Sequence, residues 1–380
     1  MQATVKDYAL QGSWNSSGAG RCQYGTGRRG GQDYFIKRFL SPKYPSDRVD
    51  GATKTKQLAA CRAFEENTKR IIAAVSRRTA TGGNLVAPVD FFRENLTYYK
   101  VFEKLDPSAF DYSTVVKSEL KEKLFFAKTA ASALRVLHFD DIVHSDLKPQ
   151  NIIIAKTATG KIIPKIVDFD DGYFGSQPPE SAAELVGDPL YYSPEMFAYV
   201  KNDDAACRSK LSTKSDIFAL GLIFAEIFGG TQRLDFGSGY GSAAHYICQG
   251  NKITHLEGIE LVQIERLLLE MLASSPTDRP DCYGVYSTLR AIEEAINRGR
   301  TACLGAPIAV RPIKLKPGKP SPPAKPEVRR AGSSPAEPAK APPSPPKAIK
   351  PAAKAPAPVP RPATEGSLVR PIKSKPKKDG

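Results

Sequence analysis

The chain has no apolar run long enough to cross a bilayer. Its greasiest stretch, Leu220-Gly221-Leu222-Ile223-Phe224-Ala225, falls far short of the roughly 18–20 residues a spanning helix needs. No basic start followed by an apolar segment opens it, so the sequence predicts a cytoplasmic protein without a transmembrane segment. The six cysteines (Cys22, Cys61, Cys207, Cys248, Cys282 and Cys303) include no CxxC pair and no histidines at zinc spacing. That pattern speaks against a disulfide scaffold and the common zinc modules, and predicts reduced, mostly buried thiols. Residues 304–380 contain no aromatic residue, yet hold 20 of the 32 prolines. Without large apolar side chains no core can form there, so this segment is expected to be disordered with polyproline II character.

Charge is just as uneven. Residues 304–380 carry 17 Lys+Arg against 4 Asp+Glu, a net of +13 out of the chain's +15. The other 303 residues are nearly neutral, which excludes a whole-chain nucleic-acid reading based on charge. The tail has no aromatic platform for stacking bases, so no specific nucleic-acid partner is expected. An acidic partner, or a protein that reads proline-rich motifs, fits its composition better. One repeat brackets it: Val310-Arg311-Pro312-Ile313-Lys314 recurs as Val369-Arg370-Pro371-Ile372-Lys373.

What is present divides the first 300 residues in two. Up to about residue 105 the chain reads as strands, notably 34–39 and 96–102, which are aromatic and β-branched and bounded by turn residues. One helix interrupts them, at about 56–77, with Cys61, Phe64, Ile71, Ile72 and Val75 on one face. From Ser118 the pattern is helical. Leu120, Leu124, Phe125, Ala131, Leu134 and Leu137 form a stripe, and further helices are predicted at 215–228, 257–272 and 285–296.

The chemistry concentrates in His144-Ser145-Asp146-Leu147-Lys148-Pro149-Gln150-Asn151, followed by Ile166-Val167-Asp168-Phe169-Asp170. This spacing suits phosphoryl transfer: a carboxylate to orient a hydroxyl, a cation for the moving phosphoryl group, and two oxygen ligands for a hard cation. The stretch resembles the H-R-D-L-x-x-x-N loop and D-F-G turn of the protein-kinase family. The resemblance implies an α+β, two-lobed fold with a small β-rich N-lobe (about 8–105) and a large helical C-lobe (about 106–300), followed by the 304–380 tail. It implies ATP and Mg²⁺ as cofactors and a protein substrate. Asp146 would orient the nucleophile and Lys148 neutralise charge, while Asn151 and Asp168 would bind Mg²⁺. Lys37, in Tyr34-Phe35-Ile36-Lys37, is similar to the family's phosphate-binding strand lysine. Its helical partner would be Glu65 or Glu66; Glu65 lies at the edge of the apolar stripe and is the better candidate. Gly18 and Gly20 stand where the family has its glycine loop, although only Gly20 falls on a signature glycine.

Further marks extend the resemblance. Ser193-Pro194-Glu195 is similar to the family's A-P-E, with Arg279 the implied ion-pair partner of Glu195. Asp216 is the implied cap of the catalytic-loop backbone, and His144 has an implied packing role. Three positions depart from the family. Ser145 replaces the arginine before the catalytic aspartate, Asp170 replaces the D-F-G glycine, and Asp188 replaces a common threonine. The D-L-K-P-x-N loop favours serine/threonine kinases. The alternative is a nucleotide-binding pseudokinase scaffold that docks partners through its tail.

Overall fold

The computed structural model describes residues 3–16, 22–79, 83–105, 111–157, 159–203, 205–230, 234, 236 and 239–299. The 304–380 tail, Cys303 and the candidate glycines Gly18 and Gly20 lie outside the described residues. The N-terminal part is one antiparallel sheet built from β1 (Thr4–Val5), β2 (Tyr8–Asn15), β3 (Cys22–Arg29), β4 (Gln32–Phe39), β5 (Asp90–Glu94) and β6 (Thr97–Glu103). Its strand order is β1-β2-β3-β4-β6-β5. Helix α1 (Gly51–Thr79) is inserted between β4 and β5. Tyr8, Ile36 and Val101 fill one face of the sheet, while Phe39, Cys61 and Tyr98 join sheet and helix on the other.

The rest is mainly helical: α2 (Tyr112–Val116), α3 (Leu120–Phe139), α4 (Pro194–Asn202), α5 (Ala205–Arg208), α6 (Thr213–Gly229), α7 (Ala243–Cys248), α8 (Val262–Met271) and α9 (Cys282–Asn297). Two short hairpin-like pairings support the loops between α3 and α4. Strand β7 (Ile142–Val143) pairs with β10 (Tyr173–Phe174), and β8 (Ile152–Lys156) pairs with β9 (Ile162–Ile166). The α+β, two-lobed architecture is therefore as expected. The largest core joins α3, α6, α8 and α9, and takes in Ile71 and Val75 of α1 and Leu85 of the segment before β5.

Helix α6 shows how sequence sets position. Every residue from Ser215 to Phe228 is buried, so the helix runs through the lobe rather than over it. Ser212 caps its N-terminus and Gly230, at φ 74°, closes its C-terminus in the left-handed conformation. One predicted helix starts late. The 257–272 segment becomes helical only at Val262. The cause is Gly258, at φ 77°, where an added Cβ would lie 2.4 Å from the carbonyl oxygen of Gly229. Close packing against the end of α6 holds this stretch out of the helical conformation. Among the described residues no helix is long and apolar enough to cross a membrane.

Candidate active site

The loops after β7 and after β9 each carry one strained residue. Ser145 has φ 73° and Asp168 has φ 60°, a left-handed conformation that non-glycine residues adopt only when the surroundings hold them there. For Ser145 the restraint is visible. Asp216, on α6, accepts from the backbone N–H of His144 at 2.7 Å and of Ser145 at 3.1 Å. The Ser145 hydroxyl donates to the Val186 carbonyl at 2.8 Å, and His144 Nε2 lies 3.0 Å from the Val167 carbonyl oxygen. Asp216 is itself held by His138 Nε2 at 2.9 Å, whose Nδ1 lies 3.2 Å from Cys282 Sγ. Burial alone would lower the His138 pKa, but the neighbouring Cys282 and Asp216 raise it to about 10. His138 thus braces the carboxylate that braces the loop.

Asp146 emerges from this frame with both oxygens engaged. Lys148 Nζ donates to them at 2.9 and 2.7 Å, Asn151 Nδ2 at 3.0 Å, and the backbone N–H of Asp188 at 3.0 Å. Asn151 also donates to the Asp146 carbonyl at 2.6 Å. Both of those bonds use the amide nitrogen, which leaves Oδ1 as the atom with which Asn151 would face a cation. The expected neighbours Asp146, Lys148 and Asn151 are therefore in contact. The Asp188 carboxylate, where the family commonly has a threonine, accepts from Leu190 N at 3.0 Å.

Lys37 departs from expectation. Its ammonium lies 2.6 Å from Asp168 Oδ1 and 2.7 Å from Asp170 Oδ2, the second contact being an ion pair off the hydrogen-bond direction. The expected Lys37–Glu65 pair is not formed. Glu65 Oε1 accepts instead from Tyr98 OH at 2.7 Å, and Lys69 approaches its other oxygen at 3.5 Å. The hydroxyl of Tyr98, on β6, occupies the carboxylate that the strand lysine would need. Glu66, the other candidate, is exposed. Asp170, which replaces the D-F-G glycine, has a buried and neutralised side chain: Lys100 Nζ lies 2.5 Å from its Oδ1. Burial raises the Asp170 carboxyl, yet Lys100 and Lys37 outweigh that and hold it below the ordinary carboxylate range. Burial likewise lowers the Lys37 ammonium, and Asp170 and Asp168 reverse this so that it stays well above the usual lysine value. Lys100 escaped the sequence reading. Its signal was a lysine within Tyr98-Tyr99-Lys100-Val101-Phe102, where an otherwise apolar strand predicts burial.

These groups edge a cavity of about 490 Å³ between sheet and helical part, with Tyr24, Phe35, Val86, Phe102, Leu105 and Ile153 as its apolar walls. Lys37, Asn151, Asp168 and Asp170 line its polar end. A flat base with a polyanionic arm matches that division. Among the described residues no cluster of three or more His, Cys, Asp or Glu side chains is placed to hold a metal by itself. Magnesium at nucleotide sites commonly takes one or two protein oxygens plus phosphates and water, a number that Asn151 and Asp168 together could supply.

At the far end of the lobe, Arg279 makes the expected pair with Glu195. Its two terminal nitrogens donate to the two carboxylate oxygens at 2.7 Å each, and Ser215 Oγ donates to Oε1 at 2.8 Å.

The family model of the protein kinase domain matches residues 53–288. The chain belongs to the protein kinase family. The matched span opens inside α1, so β1–β4 and Lys37 lie before it. Among curated relatives, the kinase is 27% identical to the human serine/threonine-protein kinase ULK1 over 52% of this chain and 19% of that protein. It is 29% identical to the serine/threonine-protein kinase PkaA of Streptomyces coelicolor, over 46% of this chain and 30% of that one. Against mouse ribosomal protein S6 kinase alpha-4 the figures are 30%, 50% and 24%. The aligned part of this kinase therefore spans less than a third of each of these three relatives.

Proposed function

We propose that this kinase transfers the γ-phosphoryl group of ATP to serine or threonine hydroxyls of protein substrates, in the cytoplasm and with Mg²⁺ bound. The observation that carries this reading is the Asp146 carboxylate, fixed by Lys148, Asn151 and Asp188 N near a cavity whose polar end holds Lys37 and Asp168. In the reaction, the substrate oxygen bonds to the γ-phosphorus as the bond to the leaving ADP oxygen breaks. Asp146 orients the hydroxyl and takes its proton. Lys148, already on Asp146, lies beside the attacking oxygen and offsets negative charge on the transferred group. Lys37 binds the phosphate arm. Asn151 Oδ1 and Asp168 would hold Mg²⁺, which when bound would supply charge neutralisation for the phosphates. Residues 8–300 form the catalytic part in this reading, and the basic proline-rich tail docks partners.

Label transfer from ATP to a mixed protein substrate tests the proposal. Asp146→Asn is expected to lower turnover by about a thousandfold while leaving ATP affinity nearly intact, because it acts mainly in the transition state. Asp168→Asn should instead weaken Mg²⁺-ATP binding. Wild-type protein that binds Mg²⁺-ATP but labels neither itself nor any substrate would establish the scaffold alternative.

A further inference from the structure

Strand register sets Lys37 directly opposite Lys100 on the adjacent strand β6. Both side chains are buried, at 6% and 4% exposure. Like charges facing each other across a strand pair repel, and burial magnifies the cost of any charge without a counterion. Asp168 accepts from Lys37 at 2.6 Å, but of the two carboxylates only Asp170 reaches both ammonium groups. Asp170 places one oxygen 2.5 Å from Lys100 and the other 2.7 Å from Lys37. Phe39, Phe64 and Phe91 surround the Lys100 ammonium with ring centroids 5.3–5.9 Å away, a setting that favours a retained cation. Glu65, meanwhile, is committed to Tyr98.

We propose that Asp170, beside Asp168, is a counterion that seats Lys37 for phosphate binding, in place of a carboxylate from α1, and that Lys100 anchors Asp170 in that role. Both are positioning residues, acting on nucleotide through Lys37, and the proposal rests on the nucleotide-site reading above. It changes the consequence of residue 170. Where the family has glycine, this chain uses a side chain that ties the start of the activation segment to two strands of the sheet. The seat of the phosphate-binding lysine then depends on that segment rather than on the placement of α1.

The test uses the full chain and two probes, ADP and adenosine, with equilibrium binding as the readout. Asp170→Asn leaves two facing ammonium groups without their shared counterion. It is expected to weaken ADP binding about tenfold, in keeping with couplings between contacting charges, while adenosine affinity stays within about twofold. General damage to the pocket would weaken both probes alike. Removing the second ammonium relieves the repulsion, so the double variant Asp170→Asn with Lys100→Met is expected to recover ADP affinity to within about threefold of wild type. Glu65→Gln is expected to change ADP binding by less than about twofold. The proposal is overturned if Asp170→Asn binds ADP as wild type does, if it loses ADP and adenosine equally, if the double variant is weaker than Asp170→Asn alone, or if Glu65→Gln matches the loss of Asp170→Asn. Wild-type protein that binds neither probe overturns the nucleotide reading along with it. Wild-type protein that binds ADP without transferring phosphate leaves this test fully readable.

Discussion

Substitution at the buried Glu195–Arg279 pair is expected to give a large stability change. The two side chains are 2% and 0% exposed and joined by two bonds of 2.7 Å. Arg279 also donates to the carbonyls of Ala273, Lys214 and Ser274, and its guanidinium carbon lies 5.0 Å from the centre of the Phe218 ring. Glu195→Ala strands a buried guanidinium, a change that costs about 3–5 kcal/mol when a buried pair loses one member. Arg279→Met strands the carboxylate and three carbonyls as well, so it is expected to cost at least as much. Against a typical total of about 5–15 kcal/mol, either variant is left marginal. With about 2–4 °C lost per kcal/mol in a domain of this size, Glu195→Ala should melt roughly 10 °C or more below wild type. The chain's single tryptophan, Trp14, sits on β2, whereas both partners lie in the helical part. Far-ultraviolet circular dichroism therefore follows the damaged region, and Trp14 fluorescence follows the sheet. The dichroism transition should shift by at least as much as the fluorescence one. A shift corresponding to less than about 1 kcal/mol for Glu195→Ala would refute the argument that this charge pair is desolvated and mutually dependent.

Ser145 has no cationic side chain with which to clamp a phosphate, and its hydroxyl is committed to the Val186 carbonyl. Phosphatase treatment, or Tyr173→Phe, Ser176→Ala and Ser181→Ala together, is therefore expected to lower activity less than tenfold in a label-transfer assay. His138 has a folded-state pKa raised to about 10 from 6.5, so its contribution to stability is complete below pH 6.5 and is lost as pH rises through about 10. Urea titrations across that window should show wild type losing more stability with rising pH than His138→Gln; equal slopes would exclude a charged His138. A fragment ending at residue 303 is expected to fold and keep phosphotransfer on a generic substrate, and an insoluble or inactive fragment would place part of the tail within the fold.

The two-lobed order was legible because it rests on periodicity: alternating aromatic strands first, then apolar stripes at helical spacing. The Asp146, Lys148 and Asn151 contacts were legible because one short loop holds all three, and local spacing nearly determines their geometry. The seat of Lys37 was not. It depends on which distant carboxylate reaches it, and three competed: Glu65, Asp168 and Asp170. The choice is made by Tyr98, whose hydroxyl takes Glu65, and by Lys100, which draws Asp170 inward. Tyr98 has no sequence signature, and the apolar strand around Lys100 signals its burial but not its partner, since each effect arises from strand register and helix placement. The late start of α8 was hidden for a similar reason, because Gly258 matters only where it meets the backbone of Gly229.

The enclosure of α6 has a consequence for the order of assembly. A helix with no polar face has no stable place at a water interface, so it cannot be added to a finished lobe. Its neighbours α2, α3 and α8 must gather around it while their own apolar stripes are still open. Contacts to α6 are then expected to form early in folding, and substitutions such as Ile223→Val to slow refolding more than they hasten unfolding. Because Asp216 lies on this same helix, the loop that carries Asp146 would then take its shape from the part of the chain expected to settle first.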